Sequence, residues 1–129
     1  MGLNNLPLAT LFRDVSLTIA EKQVEGGQND YPYKAYFNAM TQFHPAARNS
    51  HMQTVGWYKD EANKFDDATN EGFIARQKLI KDSKVCHLFG PLDLDFFRQS
   101  SYLLSNTGMR LKLTLNKPEF IAKCLCCSH

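Results

Sequence analysis

The sequence predicts a mainly β fold, an antiparallel sheet packed on one side with short helical inserts. Three alternating runs carry that prediction. Val15, Leu17 and Ile19 alternate with Asp14, Ser16 and Thr18. Leu92, Leu94 and Phe96 alternate with Asp93 and Asp95. Met109, Leu111, Leu113 and Leu115 alternate with Arg110, Lys112 and Thr114. A period of two places successive side chains on opposite faces, so each run has one buried and one wet face. The 9 Phe and 5 Tyr suit such packing.

Residues 1–11 are punctuated by Asn4, Asn5 and Pro7 and read as irregular. The first strand follows, running to Ile19. Glu25-Gly26-Gly27-Gln28-Asn29-Asp30 is a turn or loop. Pro32 then opens a helix, because proline is tolerated where a first-turn N–H has no partner. Tyr33, Tyr36, Phe37, Met40 and Phe43 form one stripe, expected to dock the helix on a sheet or on a partner chain. His44-Pro45 ends it, and a second short helix is expected over residues 46–54. Residues 60–71 are polar and acidic, a surface loop. Residues 72–80 form one or two helical turns anchored by Phe73, Ile74 and Leu79. Strands are expected over 84–89 and 92–97, bent at Gly90-Pro91. Ser105-Asn106-Thr107-Gly108 turns the chain into the last strand, which stops at Asn116-Lys117-Pro118.

At 129 residues the chain has room for one domain with a modest core, and 43 % apolar residues make it globular. A net charge of +2 gives no long-range field for nucleic acid or anionic lipid. The basic residues are dispersed, without the stripe or stacking motif of a nucleic-acid binder. No apolar run approaches the ~20 residues that span a bilayer. Met1-Gly2-Leu3-Asn4-Asn5 lacks a basic start, so no secretory leader is expected. Leu6 stands where a myristoylation signal wants Ser or Thr.

The chemical search finds no constellation. Cys86 is isolated, and Cys124, Cys126 and Cys127 crowd the C-terminus with His129. Their spacing is not that of a zinc knuckle or a disulfide scaffold. Free thiols in a reducing, intracellular compartment are expected. His44, His51, His87 and His129 lack ligand spacing. Asp66 and Asp67 lack the pattern of a calcium loop. Asp93 and Asp95 project from one strand face at roughly 7 Å, and read as its wet side. Gly26-Gly27 is a turn and no phosphate loop, and no nucleophile elbow occurs. No catalytic, cofactor-binding or metal residue is assigned, and no enzyme is expected.

The order of segments carries a resemblance. A strand over 12–19 leads through a glycine turn to Asn29-Asp30-Tyr31-Pro32-Tyr33-Lys34-Ala35-Tyr36-Phe37-Asn38-Ala39-Met40. Gly72-Phe73-Ile74-Ala75-Arg76-Gln77-Lys78-Leu79-Ile80 follows, then Phe89-Gly90-Pro91-Leu92-Asp93-Leu94-Asp95-Phe96-Phe97-Arg98-Gln99, Tyr102-Leu103-Leu104 and Met109-Arg110-Leu111-Lys112-Leu113. Over residues 3–121 this series resembles the capsid proteins of Polinton (Maverick) elements and adintoviruses, often found as integrated copies in animal genomes. It is more distantly similar to the double jelly-roll major capsid proteins of large DNA viruses.

The resemblance implies a jelly roll, an antiparallel β-sandwich, expected here as an incomplete one over residues 1–122, and the residues themselves read as an unstructured Cys-rich tail over 123–129. The expected function is structural: a fragment of a major capsid protein, assembling into capsomers of an icosahedral virion shell. The implied partners are other capsid subunits, as homotrimers, and the penton-type minor capsid protein. No sequence-specific nucleic acid, membrane span or cofactor is implied. A penton-type protein, or an interaction module domesticated from an integrated element, are the alternatives.

Overall fold

The computed structural model describes residues 1–65 and 67–123. Among the described residues there are five strands and five α-helices. They are β1 (Gly2–Leu3), α1 (Pro7–Thr10), β2 (Phe12–Ile19), β3 (Lys22–Glu25), α2 (Tyr31–Thr41), α3 (Pro45–Arg48), α4 (Glu71–Ile80), β4 (Met109–Leu115), α5 (Pro118–Ile121) and β5 (Ala122–Lys123). Short 3-10 turns occupy His51–Val55, Lys81–Ser83 and Asp95–Arg98.

The strands form two antiparallel sheets, one of order β3-β2-β4 and one pairing β1 with β5. Antiparallel sheet is therefore present as expected. Helix nevertheless outweighs strand, at about 37 % against 19 %, so the fold is not clearly mainly β. No face-to-face sandwich forms among the described residues. Helix α2, not a second sheet, packs across β2.

The core follows from β2. Val15 and Leu17 are almost fully buried, at 1 % and 0 % exposure, and cluster with Tyr31, Ala35, Ala39, Trp57 and Leu94. The face that α2 buries is Tyr31, Ala35, Asn38 and Ala39, spaced i, i+4, i+7 and i+8. The expected docking stripe lies elsewhere, with Tyr33 and Phe37 65 % and 66 % exposed. Two stripes of similar period compete on this helix. The one with two alanines wins because small side chains let the helix axis approach the sheet closely. The aromatic stripe makes flanking contacts instead. Tyr36 meets Trp57 at a tilt, with centroids 5.6 Å apart, and Tyr33 meets Phe120 edge-on at 5.8 Å.

Residues 84–89 and 92–97 are not strands. The alternation in the second run is real, since Leu94 is buried, Leu92 and Phe96 are half-buried and Asp95 is exposed. The backbone bonds go to side chains instead of to a neighbouring strand. Asp93 N–H donates to the Tyr31 hydroxyl at 3.0 Å, and the Asp95 and Phe96 N–H groups donate to the Glu25 carboxylate at 3.0 and 3.2 Å. Period two reports which side chains face inward, and here Leu94 is extended while Asp95–Arg98 form a 3-10 turn, so sheet pairing is a separate matter.

The β2–β3 hairpin has no turn signal. Ala20 and Glu21 link Ile19 to Lys22, both with left-handed dihedrals, φ 48° and 65°. Two positive φ values describe the mirror-image turn that matches sheet twist, and it favours Asn-Gly. Beyond the hairpin, Gly26 has φ +90°, and a Cβ there would lie 2.2 Å from the Val15 carbonyl oxygen. Only glycine fits that close crossing.

The expected second helix over 46–54 divides into α3 and a 3-10 turn. Helix α4 matches expectation, with the Asn70 side chain accepting the Gly72 N–H at its start. Lys123, expected in the tail, pairs with Gly2 in β5. The rest of the tail, with Cys124, Cys126, Cys127 and His129, lies outside the described residues.

Replacing Ala20-Glu21 by Asn-Gly should remove the left-handed strain. We expect urea unfolding to show a gain of about 1 kcal/mol, with an unchanged denaturant slope.

Candidate functional site

The polar groups of the described clusters are taken up by one another and by the backbone. Arg76, 4 % exposed, sits on the inner face of α4. Its Nε donates to the Leu3 carbonyl at 2.9 Å and its Nη1 to the Tyr58 carbonyl at 3.1 Å. Its Nη2 pairs with Asp60 Oδ1 at 2.9 Å. The same Asp60 oxygen accepts from Asn70 Nδ2, and Oδ2 accepts from Asn5 Nδ2. One guanidinium thereby joins β1, the chain at 58–60 and α4. Sequence reasoning missed it because a lone arginine on a helix looks like a surface residue. The ends of the expected surface loop, Asp60 and Asn70, turn inward to meet it, while most of its middle is exposed.

The second cluster surrounds Glu25. Its carboxylate accepts from Lys34 Nζ at 2.5 Å and from the two backbone N–H groups of the 95–96 segment. Burial pushes the carboxyl upward, but Lys34 and those N–H donors outweigh it and hold the group below the ordinary value of 4.5. Burial likewise works against the Lys34 ammonium, and contact with Glu25 and Asp95 overrides it, raising its pKa.

Asp93 and Asp95 are not a carboxylate pair. Asp93 accepts from Asn38 Nδ2 at 2.9 Å and pairs with Arg98, whereas Asp95 pairs with Lys34 at 3.0 Å. Different cations neutralise them. Asp67 is exposed and accepts the Thr69 N–H, and Asp66 lies outside the described residues. His44 caps α3 by accepting the Ala46 N–H, while His51 and His87 are exposed. Cys86 is a half-buried free thiol. Among the described residues, no three His, Cys, Asp or Glu side chains gather in a metal-binding group. Every buried side-chain nitrogen or oxygen among them has a hydrogen-bond partner. A cleft of about 350 Å³ borders Asp14, Glu25 and Lys34. Its charged groups are taken up, since both Asp14 oxygens accept the Gly27 N–H and Glu25 pairs with Lys34.

What remains open is a surface, and β4 supplies it. Leu111 and Leu113 lie opposite Leu17 and Val15, so they share the face that α2 buries on β2. Helix α2 packs on β2, and the same face of β4 lies open. Met109, Leu111, Leu113 and Leu115 are 50, 40, 47 and 66 % exposed. A continuous apolar sheet face is therefore covered on one strand and left bare on the next.

Among the described residues the edge of β4 is open as well, since β4 is the outer strand of its sheet. The Ala20 N–H bonds to the Gly108 carbonyl, which sets the phase of the ladder. By antiparallel alternation, Arg110, Lys112 and Thr114 turn their backbone groups toward β2. Met109, Leu111, Leu113 and Leu115 turn theirs outward. The free N–H and C=O groups thus belong to the residues with the bare apolar side chains. The wet face of β4 carries Arg110 and Lys112 and no acid.

No family model matches the chain, and neither does any curated protein or solved structure. No helix among the described residues is long and apolar enough to cross a membrane.

Two outcomes follow from the polar clusters. Arg76→Met should lower unfolding stability by about 3–5 kcal/mol, because it strands the buried Asp60 carboxylate. Chemical denaturation followed by circular dichroism measures it. Glu25 has a depressed pKa, so its contribution is present above pH 4.5 and is lost as pH falls through the lower, folded-state value. The protection of the Asp95 and Phe96 amides, taken relative to their intrinsic exchange at each pH, should fall over that acid range in the native protein. In Glu25→Gln the step should vanish.

Proposed function

We propose that this chain is a structural, non-enzymatic subunit whose sheet is completed by another polypeptide. We further propose that it is a partial jelly-roll capsid protein of the Polinton and adintovirus kind, a fragment of a major capsid protein built into trimeric capsomers of a virion shell. One observation carries the reading: among the described residues, the apolar face of β4, continuous with the core of β2, is left half-exposed, and no strand pairs with the outer edge of β4. Monomeric soluble proteins rarely leave such a face in water. A long apolar edge strand invites pairing with another chain. The segment order that resembles the capsid proteins supplies the family part of the proposal.

A domesticated interaction module would use the same surface, so the two readings part on self-assembly. Size-exclusion chromatography with light scattering, beside thermal unfolding, separates them. The capsid reading expects concentration-dependent association, shifted toward monomer by Leu111→Lys. A cooperative monomer at all concentrations would sink self-assembly and favour the module.

A further inference from the structure

We propose that the free edge of β4 accepts an extended peptide segment of alternating apolar and acidic residues, added as a fourth strand. The inference rests on the reading of β4 as an incomplete sheet edge, and deepens it by naming the partner's chemistry.

Strand addition needs outward backbone groups, and β4 offers those of Met109, Leu111, Leu113 and Leu115. Side chains directly opposite each other share a face. Residues of the incoming strand opposite Leu111 and Leu113 therefore enter the bare apolar face and must be apolar. Their neighbours fall beside Arg110 and Lys112. These two cations have no acid across from them on β2, where Thr18 faces Arg110 and Ser16 faces Lys112. Acidic residues at those positions complete the cross-strand pairs.

A second copy of β4 fits less well. Full antiparallel overlap of the seven-residue strand on itself sets Lys112 against Lys112, and like charges directly opposite each other are destabilising. The chain already uses the favoured chemistry once. Leu92-Asp93-Leu94 runs into the Asp95–Arg98 3-10 turn with Leu94 in the core, Asp93 on Arg98 and Asp95 on Lys34. A segment of that type is complementary to β4 on both faces.

The test titrates the full chain with a fluorescent, capped heptapeptide of alternating leucine and glutamate, followed by anisotropy. Its control replaces each glutamate by lysine. The acidic peptide should bind saturably and at least about tenfold tighter than the basic one, with the difference shrinking at high salt. Leu113→Pro removes only an outward N–H, so the sheet should persist by circular dichroism while binding is lost. Lys112→Glu leaves Arg110 in place and should abolish the peptide preference, and Arg110→Glu combined with Lys112→Glu should invert it. Equal binding of both peptides, or binding that survives Leu113→Pro in a folded protein, overturns the inference. So does no binding by a chain that light scattering shows to be monomeric. If the chain associates through β4 and the acidic peptide does not displace it, the occupant is a second copy. The assembly reading then stands and this inference fails. Peptide binding by a strict monomer supports the inference while self-assembly fails.

Discussion

The structure depends on the need to cover the apolar face of β2. Val15 and Leu17 are the most deeply buried side chains of the sheet, and the remaining elements are arranged around them. Helix α2 covers them because Ala35 and Ala39 let it come close. The 92–96 segment closes the flank by inserting Leu94, held by Tyr31 and Glu25. Both holding groups stand beside β2 in the fold, one on α2 and one on β3. The arrangement is economical but narrow. A single helix spans little more than two strands, and β4 lies beyond its reach, which leaves its leucines half in water.

The polar clusters serve the same frame. Arg76 converts three separate carbonyl and carboxylate acceptors into one fixed point, so the N-terminal strand, the Tyr58–Asp60 chain and α4 hold a single relative placement. Replacing such a hub by a well-packed apolar group can be neutral in other settings, but here Asp60 and two main-chain oxygens would lose their donor together. Glu25 plays a comparable role for β3, α2 and the 95–96 segment. Neither cluster leaves a charged group idle, and each ties distant segments of the chain together.

Much of this was legible in the sequence. The period of two located β2 and β4 correctly, and Pro32 and Gly72 marked helix starts within a residue or two. The same signal failed over 92–97 because periodicity registers which side chains face inward and says nothing of where N–H groups bond. Their acceptors, Tyr31 and Glu25, are some sixty to seventy positions away. The hairpin at Ala20-Glu21 was invisible because neither residue favours the left-handed dihedrals it adopts. The aromatic stripe of α2 was the more conspicuous of two, yet the alanines define the packed face. Alternation in β4 implied one buried face, and whether a neighbour covers it depends on how wide α2 is. The open edge is therefore a property of the assembled fold that no local pattern encodes.

The order of the sheet also bears on how the chain acquires it. Strands β2 and β3 meet through a two-residue turn, whereas Ile19 and Met109 pair across about 90 positions of chain, a separation whose closure entropy must be met before any contact is gained. During synthesis the hairpin can form while β4 is still unmade. For that interval the central strand itself is an open edge, with Val15 and Leu17 inside it. Any strand that arrives first, from a chaperone, a neighbouring nascent chain or a partner subunit, competes with β4 for the same ladder. The fold thus has a built-in period of vulnerability, whose length is set by the speed of the ribosome.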